Sequence, residues 1–248
     1  MKVALLLRGL TYKDIYIHHT GKILKIDYRE YIEKINSQII EPLRTKYDLD
    51  LFLVTYKSKL DQTEVLKDFE PYVDAYFMDE IGPTQTDCLL TGLRMIYRHL
   101  ENKRFMQTKY DLIIVSRMDL DLLMDINDIE YNGDKFNFLW NEITKDGQVA
   151  DCIYFFNAKF LLPFISALNA YTKTKYCKSL HFTRPYIERY IDKKDINIIL
   201  NDYWDSNTDY RPNPVYKIIR QEVELPKQPE PNSFYKKFLG NPTKFRIH

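Results

Sequence analysis

The stretch YDLIIVSRMDLDLLMDI, residues 110–126, carries two carboxylates, Asp119 and Asp121, separated by one leucine just behind an apolar run. In an extended chain residues i and i+2 point to the same side, so this pair can be presented together at a strand's carboxyl end. Two like charges held together are costly unless a cation or hydrogen-bond donors neutralise them. Hard divalent ions such as Mg²⁺ or Mn²⁺ take carboxylate oxygens together with substrate phosphates, so a metal-bound diphosphate is the chemistry this spacing suits. The plainer alternative is that Asp119 and Asp121 end a strand and enter a turn, with Asp125 and Asp128 as further solvated acids or a helix cap. Arg8 and Arg117 either pair with neighbouring acids or meet phosphate, where the guanidinium fork gives bidentate contacts. Gln85, Thr86 and Asp87 open a helix ahead of the motif strand, where a ribose could lie; Thr86 serves equally as an N-cap. Tyr12, Tyr16, Trp140 and Trp204 offer faces for a base or a sugar ring, although with 20 tyrosines in the chain most must be structural.

The elements that would position these residues follow from hydrophobic periodicity. Val3 to Leu7 is a continuous apolar run ending at Arg8-Gly9, the form of a strand covered on both faces. Tyr31, Ile32, Ile35, Ile39, Ile40 and Leu43 mark a helix within residues 27–46 that Pro42 ends or kinks. Residues 48–56 supply a second strand, Asp61 caps a short helix through Phe69, and residues 73–79 supply a third strand. After the Gly82-Pro83 break, a helix beginning at Thr84 or Thr86 runs to about Arg104, and residues 111–115 form the fourth strand. This alternation predicts an α/β fold, a single domain with a mostly parallel central sheet and helices on both faces. Beyond it, residues 136–140, 151–156 and 196–200 are strand candidates and residues 158–172 and 186–191 helical ones. Proline density after Trp204 predicts an extended loop or tail.

Composition limits the function classes. A chain of 248 residues with 45% hydrophobic content can bury a sizeable core, and 36 basic against 35 acidic residues give a net charge of +1, with neither a polyanion-binding surface nor an acidic tail. Nucleic acid is therefore not expected as a partner. The opening MKVALLLRGL is a first strand and not a signal peptide, and no stretch approaches the ~20 apolar residues of a membrane span. Cys88, Cys152 and Cys177, odd in number and widely spaced, fit neither a disulfide framework nor a zinc site, so a soluble cytoplasmic protein of a reducing compartment is expected.

RMDLD behind a buried strand resembles the DxD motif of GT-A glycosyltransferases, in which acidic side chains hold a divalent metal on the diphosphate of a nucleotide sugar. The resemblance covers roughly residues 1–205, a nucleotide-binding part to about residue 125 and an acceptor part over about 126–205, and leaves residues 206–248 as a Pro-rich extension. VALLLRG resembles the first strand of small bacterial and viral sugar transferases, where the residues just past the strand line the nucleotide pocket. On that resemblance Arg8, Gly9, Thr11, Gln85, Arg117 and Asp119 meet the nucleotide sugar, and Asp119 and Asp121 hold Mn²⁺ or Mg²⁺. VADCIYFFNAKFLLPFISAL is similar to the portion in which an acidic residue faces the acceptor, which makes Asp151 the implied general base if the reaction inverts. SLHF places His181 where many GT-A enzymes carry a late histidine on metal or diphosphate. The implied donor is a UDP- or GDP-linked sugar and the implied acceptor a glycan or small-molecule hydroxyl. Two other readings stand beside this one. A sugar-phosphate nucleotidylyltransferase would open with a GxGxR-like loop, which Arg8-Gly9-Leu10-Thr11 lacks; a non-catalytic binding module would share the fold without the chemistry.

Overall fold

The structure is a computed structural model that describes residues 1–17, 23–79, 83–102, 109–140, 148–177, 179–200, 215–219 and 221–222. β1 (Lys2–Gly9) is followed by an antiparallel pair, β2 (Tyr12–Ile17) and β3 (Ile23–Asp27). A helical stretch then runs from α1 (Ile32–Ile35) through a π-helical turn (Asn36–Ile40) into α2 (Glu41–Lys46). Next come β4 (Asp48–Tyr56), α3 (Gln62–Lys67), β5 (Asp74–Met78), α4 (Gln85–Asn102), β6 (Leu112–Arg117) and β7 (Leu120–Leu122). The second half supplies β8 (Phe136–Trp140), β9 (Ile153–Phe156), α5 (Leu161–Tyr171), α6 (Arg184–Ile187), β10 (Ile196–Leu200), β11 (Tyr216–Ile218) and β12 (Gln221–Glu222).

Among the described residues seven strands form the central sheet, in the order β10-β8-β9-β6-β1-β4-β5. All neighbours run parallel except β9, which is antiparallel to both β6 and β8. Alternation along the strands sorts the apolar residues onto two faces. Val3, Leu5, Leu7, Leu51, Leu53 and Ile114 pack with Ile35, Ile39, Leu43 and Val65 of α1, the π turn, α2 and α3. Ala4, Leu6, Phe52, Val54, Ile113 and Val115 pack with α4 and α5 on the other side. The expected α/β architecture, a mostly parallel sheet with helices on both faces, is what the chain adopts. Among the described residues no helix is long and apolar enough to cross a membrane.

Gly92 shows how closely α4 lies on β1. A Cβ built there would come within 2.5 Å of both Leu6 methyl carbons, and Leu6 is itself fully buried. Gly92→Ala gains helix propensity of about 1 kcal/mol but overpacks this contact, so a net loss of about 1–2 kcal/mol in urea unfolding is expected. Unchanged stability would mean that α4 can lift off the sheet without cost.

Local details depart from the periodicity. Pro42 neither ends the helix nor stands inside a regular one: it occupies the first turn of α2, directly after the π turn, where a missing N–H costs least. α6 spans Arg184–Ile187, short of the expected helix over 186–191. The motif segment 120–122 is itself a strand, and its partner is β11, from the segment expected to be a tail. β12, from the same segment, pairs with β3.

Candidate functional site

Where β1 and β6 end side by side, a cavity of about 340 Å³ opens, lined by Arg8, Gly9, Lys13, Gln85, Arg117 and Asp119, with Tyr56 and Cys88 in its wall. Such crevices at the carboxyl ends of parallel strands are where α/β sheets take ligands. Arg8 and Arg117 are direct register partners, so parallel pairing alone sets two guanidiniums at the same level of the sheet. Gly9 then turns with φ of 133°, a value that side chains rarely tolerate, and the Met118 N–H donates to the Arg8 carbonyl at 3.0 Å. α4 begins at Gln85 on the cavity rim, which turns the positive end of an 18-residue helix toward it. Its cap is Thr84, whose Oγ1 accepts from the Asp87 N–H at 3.2 Å while the Asp87 carboxylate accepts the Thr84 N–H at 2.7 Å. Thr86, the other cap candidate, is buried and donates to the Cys177 carbonyl at 2.5 Å.

The electrostatics are arranged in layers. Arg117 donates from Nε and Nη2 to the two oxygens of Asp119 at 2.8 and 2.5 Å. Its Nη1 also lies 3.6 Å from Asp151 Oδ1. Arg8, only 2% exposed, donates from Nη2 to the Asp151 backbone carbonyl and lies 3.9 Å from the Asp151 carboxylate. Among the described residues its Nε is buried without a hydrogen-bond partner. A buried guanidinium N–H left unsatisfied costs desolvation free energy until an acceptor arrives.

Asp151 reaches this position because β9 runs antiparallel to β6 and the Arg117 N–H donates to the Cys152 carbonyl at 3.0 Å. Asp151 is 1% exposed. Burial alone would raise its pKa, but the charges of His181, Arg117 and Arg8 outweigh that and hold it well below the usual carboxylate range. His181 is clamped by Nδ1 against the Val149 carbonyl at 2.9 Å, stacks near Trp140, and brings Nε2 to 3.8 Å from Asp151 Oδ1. The structure thus places Asp151, the implied general base, among Arg8, Arg117 and His181 and not among the described residues that line the cavity.

Asp121 faces elsewhere. Its carboxylate accepts from Lys34 Nζ at 2.5 Å and from Gln38 Nε2 at 3.0 Å, and those hydrogen bonds outweigh partial burial to lower its pKa. Asp121 is not part of the cavity wall, whereas Asp119 is. The i, i+2 rule places both on one side of an extended segment, but Met118 and the short β7 carry the two carboxylates to different neighbours.

The divalent ion implied by the DxD resemblance can be tested against this donor set. Asp119 uses both oxygens on Arg117 and Asp121 uses both on Lys34 and Gln38, while His181 has its Nε2 turned to Asp151 Oδ1 at 3.8 Å. Among the described residues no three His, Cys, Asp or Glu side chains are grouped to hold a metal. As arranged, Asp119, Asp121 and His181 do not fit a hard cation, which needs several carboxylate oxygens converging on one point.

The remaining expectations divide. Gly9 and Gln85 line the cavity, but Thr11 is buried beside it and spends its N–H on Thr55 Oγ1 at 3.2 Å and its carbonyl on the Tyr28 N–H at 2.8 Å. Its backbone N–H and carbonyl are therefore both committed within the protein. Trp140 is buried in the core and Tyr12 lies under Lys59 Nζ at 4.7 Å, so neither presents an open face. Tyr16 falls in β2, and Trp204 lies outside the described residues. Sequence reasoning missed Lys13, Tyr56 and Cys88. Lys13 lies in β2, just past the first strand, but one lysine in a lysine-rich chain gives no signal. Burial pushes the Cys88 thiol up to about 11, so it is no thiolate nucleophile at neutral pH.

No protein-family model and no curated protein sequence matches the chain. Solved structures do. A glycosyltransferase involved in glycosylation of the major capsid of PBCV-1 aligns over 80% of this chain and 81% of its own, with 8% identity and a TM-score of 0.42. The apo-form glycosyltransferase GlyE of Streptococcus pneumoniae TIGR4 aligns over 79% of this chain and 44% of its own, with 11% identity and a TM-score of 0.43. A Drosophila beta-1,4-galactosyltransferase 7 mutant, in complex with manganese, UDP-Gal and xylobiose, aligns over 66% and 51%, with 13% identity and a TM-score of 0.33. The chain is similar in fold to glycosyltransferases. It spans about half the length, or less, of the second and third of these, and none of the three reaches a TM-score of 0.5. The chemistry below therefore rests on the residues themselves.

Proposed function

We propose that the chain is a glycosyltransferase that takes a UDP- or GDP-linked sugar and passes the sugar to a hydroxyl of a glycan or small molecule. The observation that carries this reading is the register-paired, buried Arg8 and Arg117 at the carboxyl ends of β1 and β6, the Arg8 Nε unsatisfied among the described residues, at a cavity beside the N-terminus of α4. A volume of about 340 Å³ suits the nucleoside diphosphate part of such a donor. In the reaction the bond between the anomeric carbon and the diphosphate oxygen breaks, with both electrons leaving on the nucleoside diphosphate. The acceptor oxygen bonds the anomeric carbon, and its proton passes to the departing diphosphate or to water.

Each residue has a role in this reading. Arg8 and Arg117 offset the charge that develops on the leaving diphosphate, and being held in place beforehand they need no reorganisation. Gln85 is the hydrogen-bonding group for the ribose at the cavity wall, and Asp119 fixes the Arg117 fork beside it. Asp151 holds the two arginines from behind as a positioning residue. A screen of UDP- and GDP-sugars for release of UDP or GDP by the full chain tests the reading. One nucleotide class is expected to turn over, slowly with water and faster with the right hydroxyl acceptor. Pyrophosphate release from a nucleoside triphosphate and a sugar 1-phosphate would assign nucleotidyl transfer instead. Nucleotide binding with no turnover in either assay would reduce the chain to a binding module.

A further inference from the structure

We infer that the diphosphate is held by the chain's own cations, Arg8, Arg117 and Lys13, and not by a divalent metal, with Asp121 a strut of the motif strand. This rests on the nucleotide-diphosphate reading above and deepens it. Among the described residues, three of the charged ones that line the cavity are cationic and one, Asp119, is anionic. A divalent cation would enter a wall already positive, whereas a diphosphate finds there the charge it needs. Arg8 adds an independent sign of a missing acceptor, a buried Nε with no partner among the described residues, on a residue that lines the cavity. Arg117 has its fork on Asp119 and is braced by Asp151, so its charge is fixed at the sheet end before any ligand arrives.

Asp121 is bonded as a strut would be. Gln38 in the π turn accepts the Leu122 N–H at 2.9 Å and donates to the Leu122 carbonyl at 3.1 Å, completing one edge of β7 with a side-chain amide. The same amide and Lys34 hold the Asp121 carboxylate. On its other edge β7 pairs with β11, where Lys217 stands opposite Asp121. The second acid of the motif is thus committed to fixing the segment that carries Asp119, and the π turn sets Gln38 in reach of it.

Isothermal titration of the full chain with UDP and with GDP, once in Mn²⁺ and once in excess EDTA, tests the inference. The nucleotide that binds is expected to do so with affinities that agree within about threefold between the two buffers. Lys13→Ala and Arg8→Lys are each expected to weaken binding by about tenfold in both buffers, because a lysine cannot reproduce the fork and an alanine removes the charge. Arg8→Lys keeps the buried charge that Asp151 needs, so it folds where Arg8→Ala could fail. Asp121→Asn, which keeps the Gln38 bond, is expected to bind within about threefold of the parent. Binding that vanishes in EDTA, returns with Mn²⁺ and is abolished by Asp121→Asn would overturn the inference in favour of a metal site. No binding of either nucleotide in either buffer would overturn the nucleotide-diphosphate reading itself.

Discussion

Arg117→Ala is expected to lose about 3–5 kcal/mol of stability and all measurable nucleotide binding. The guanidinium is buried, and two acids depend on it: Asp119, which receives both of its fork donors, and Asp151 at 3.6 Å. Burial alone would lower the Arg117 pKa, yet Asp119 and Asp151 raise it well above the ordinary value, so its charge is present at every accessible pH. Removing one partner of a buried pair costs far more than the pair contributes in net, because the carboxylates left behind have lost water and gained nothing. Asp151 keeps His181 and Arg8 nearby, whereas Asp119 loses its bidentate partner, so Asp119 carries most of the damage. Urea unfolding of Arg117→Ala and of the double variant Arg117→Ala/Asp119→Asn separates the two effects. The double variant is expected to recover about half of the lost stability while still failing to bind UDP or GDP. A single variant within about 1 kcal/mol of the parent would mean that these acids are solvated and that the layered charge described here does not exist.

The parallel half of the fold was legible because its signals are local. Val3 to Leu7 and Leu112 to Val115 are apolar on every residue, which only a strand covered on both faces requires, and the stripe of α4 repeats at helical spacing. The segment after β1 was not legible, since the β2 and β3 pair is defined by mutual hydrogen bonding and not by alternation visible in either strand. The same holds for β11, a three-residue strand in a proline-rich neighbourhood that pairs across more than ninety positions of sequence. Pairing partners are a property of the assembled sheet, and proline density outweighs them in any local reading.

The site divides in the same way. Arg8, Gly9, Arg117 and Asp119 could be nominated from sequence because the ends of parallel strands are where ligands bind, and strand ends are readable. What could not be read is which neighbour each side chain would choose. Asp119 and Asp121 obey the same i, i+2 rule, but one meets an arginine two residues earlier and the other meets Lys34 and Gln38 from a helix more than eighty residues away. Periodicity fixes the side of the chain from which a carboxylate leaves, and tertiary packing decides what it finds there. Thr11 makes the same point from the opposite direction: its place just past the first strand was right for a ligand contact, and Thr55 and Tyr28 took its polar groups first.

Asp151→Asn is expected to lower nucleotide affinity as well as turnover, and that joint loss distinguishes a positioning residue from a general base. A base that touches only the acceptor hydroxyl would reduce turnover by about 10²-fold or more and leave UDP or GDP affinity unchanged. In this structure Asp151 touches Arg8 and Arg117 instead, so losing its charge frees the two guanidiniums to shift away from the diphosphate. The pH dependence of stability gives a second readout independent of any ligand. A carboxyl whose folded pKa lies below its unfolded value of about 3.9 contributes stability that is fully present above that pH and is lost as the pH falls toward the folded value. Burial raises the Asp151 pKa and the charges of His181, Arg117 and Arg8 more than reverse it, so this contribution has the depressed sign. The parent should therefore lose stability steeply below about pH 4, and Asp151→Asn should be less stable at neutral pH, by about 3 kcal/mol, with a flatter slope in acid. Urea midpoints measured from neutral pH down to about pH 2 resolve both effects. Should affinity stay at the parent level while turnover alone falls, Asp151 reaches the acceptor after all, and the arginines must be held by something other than the acid behind them.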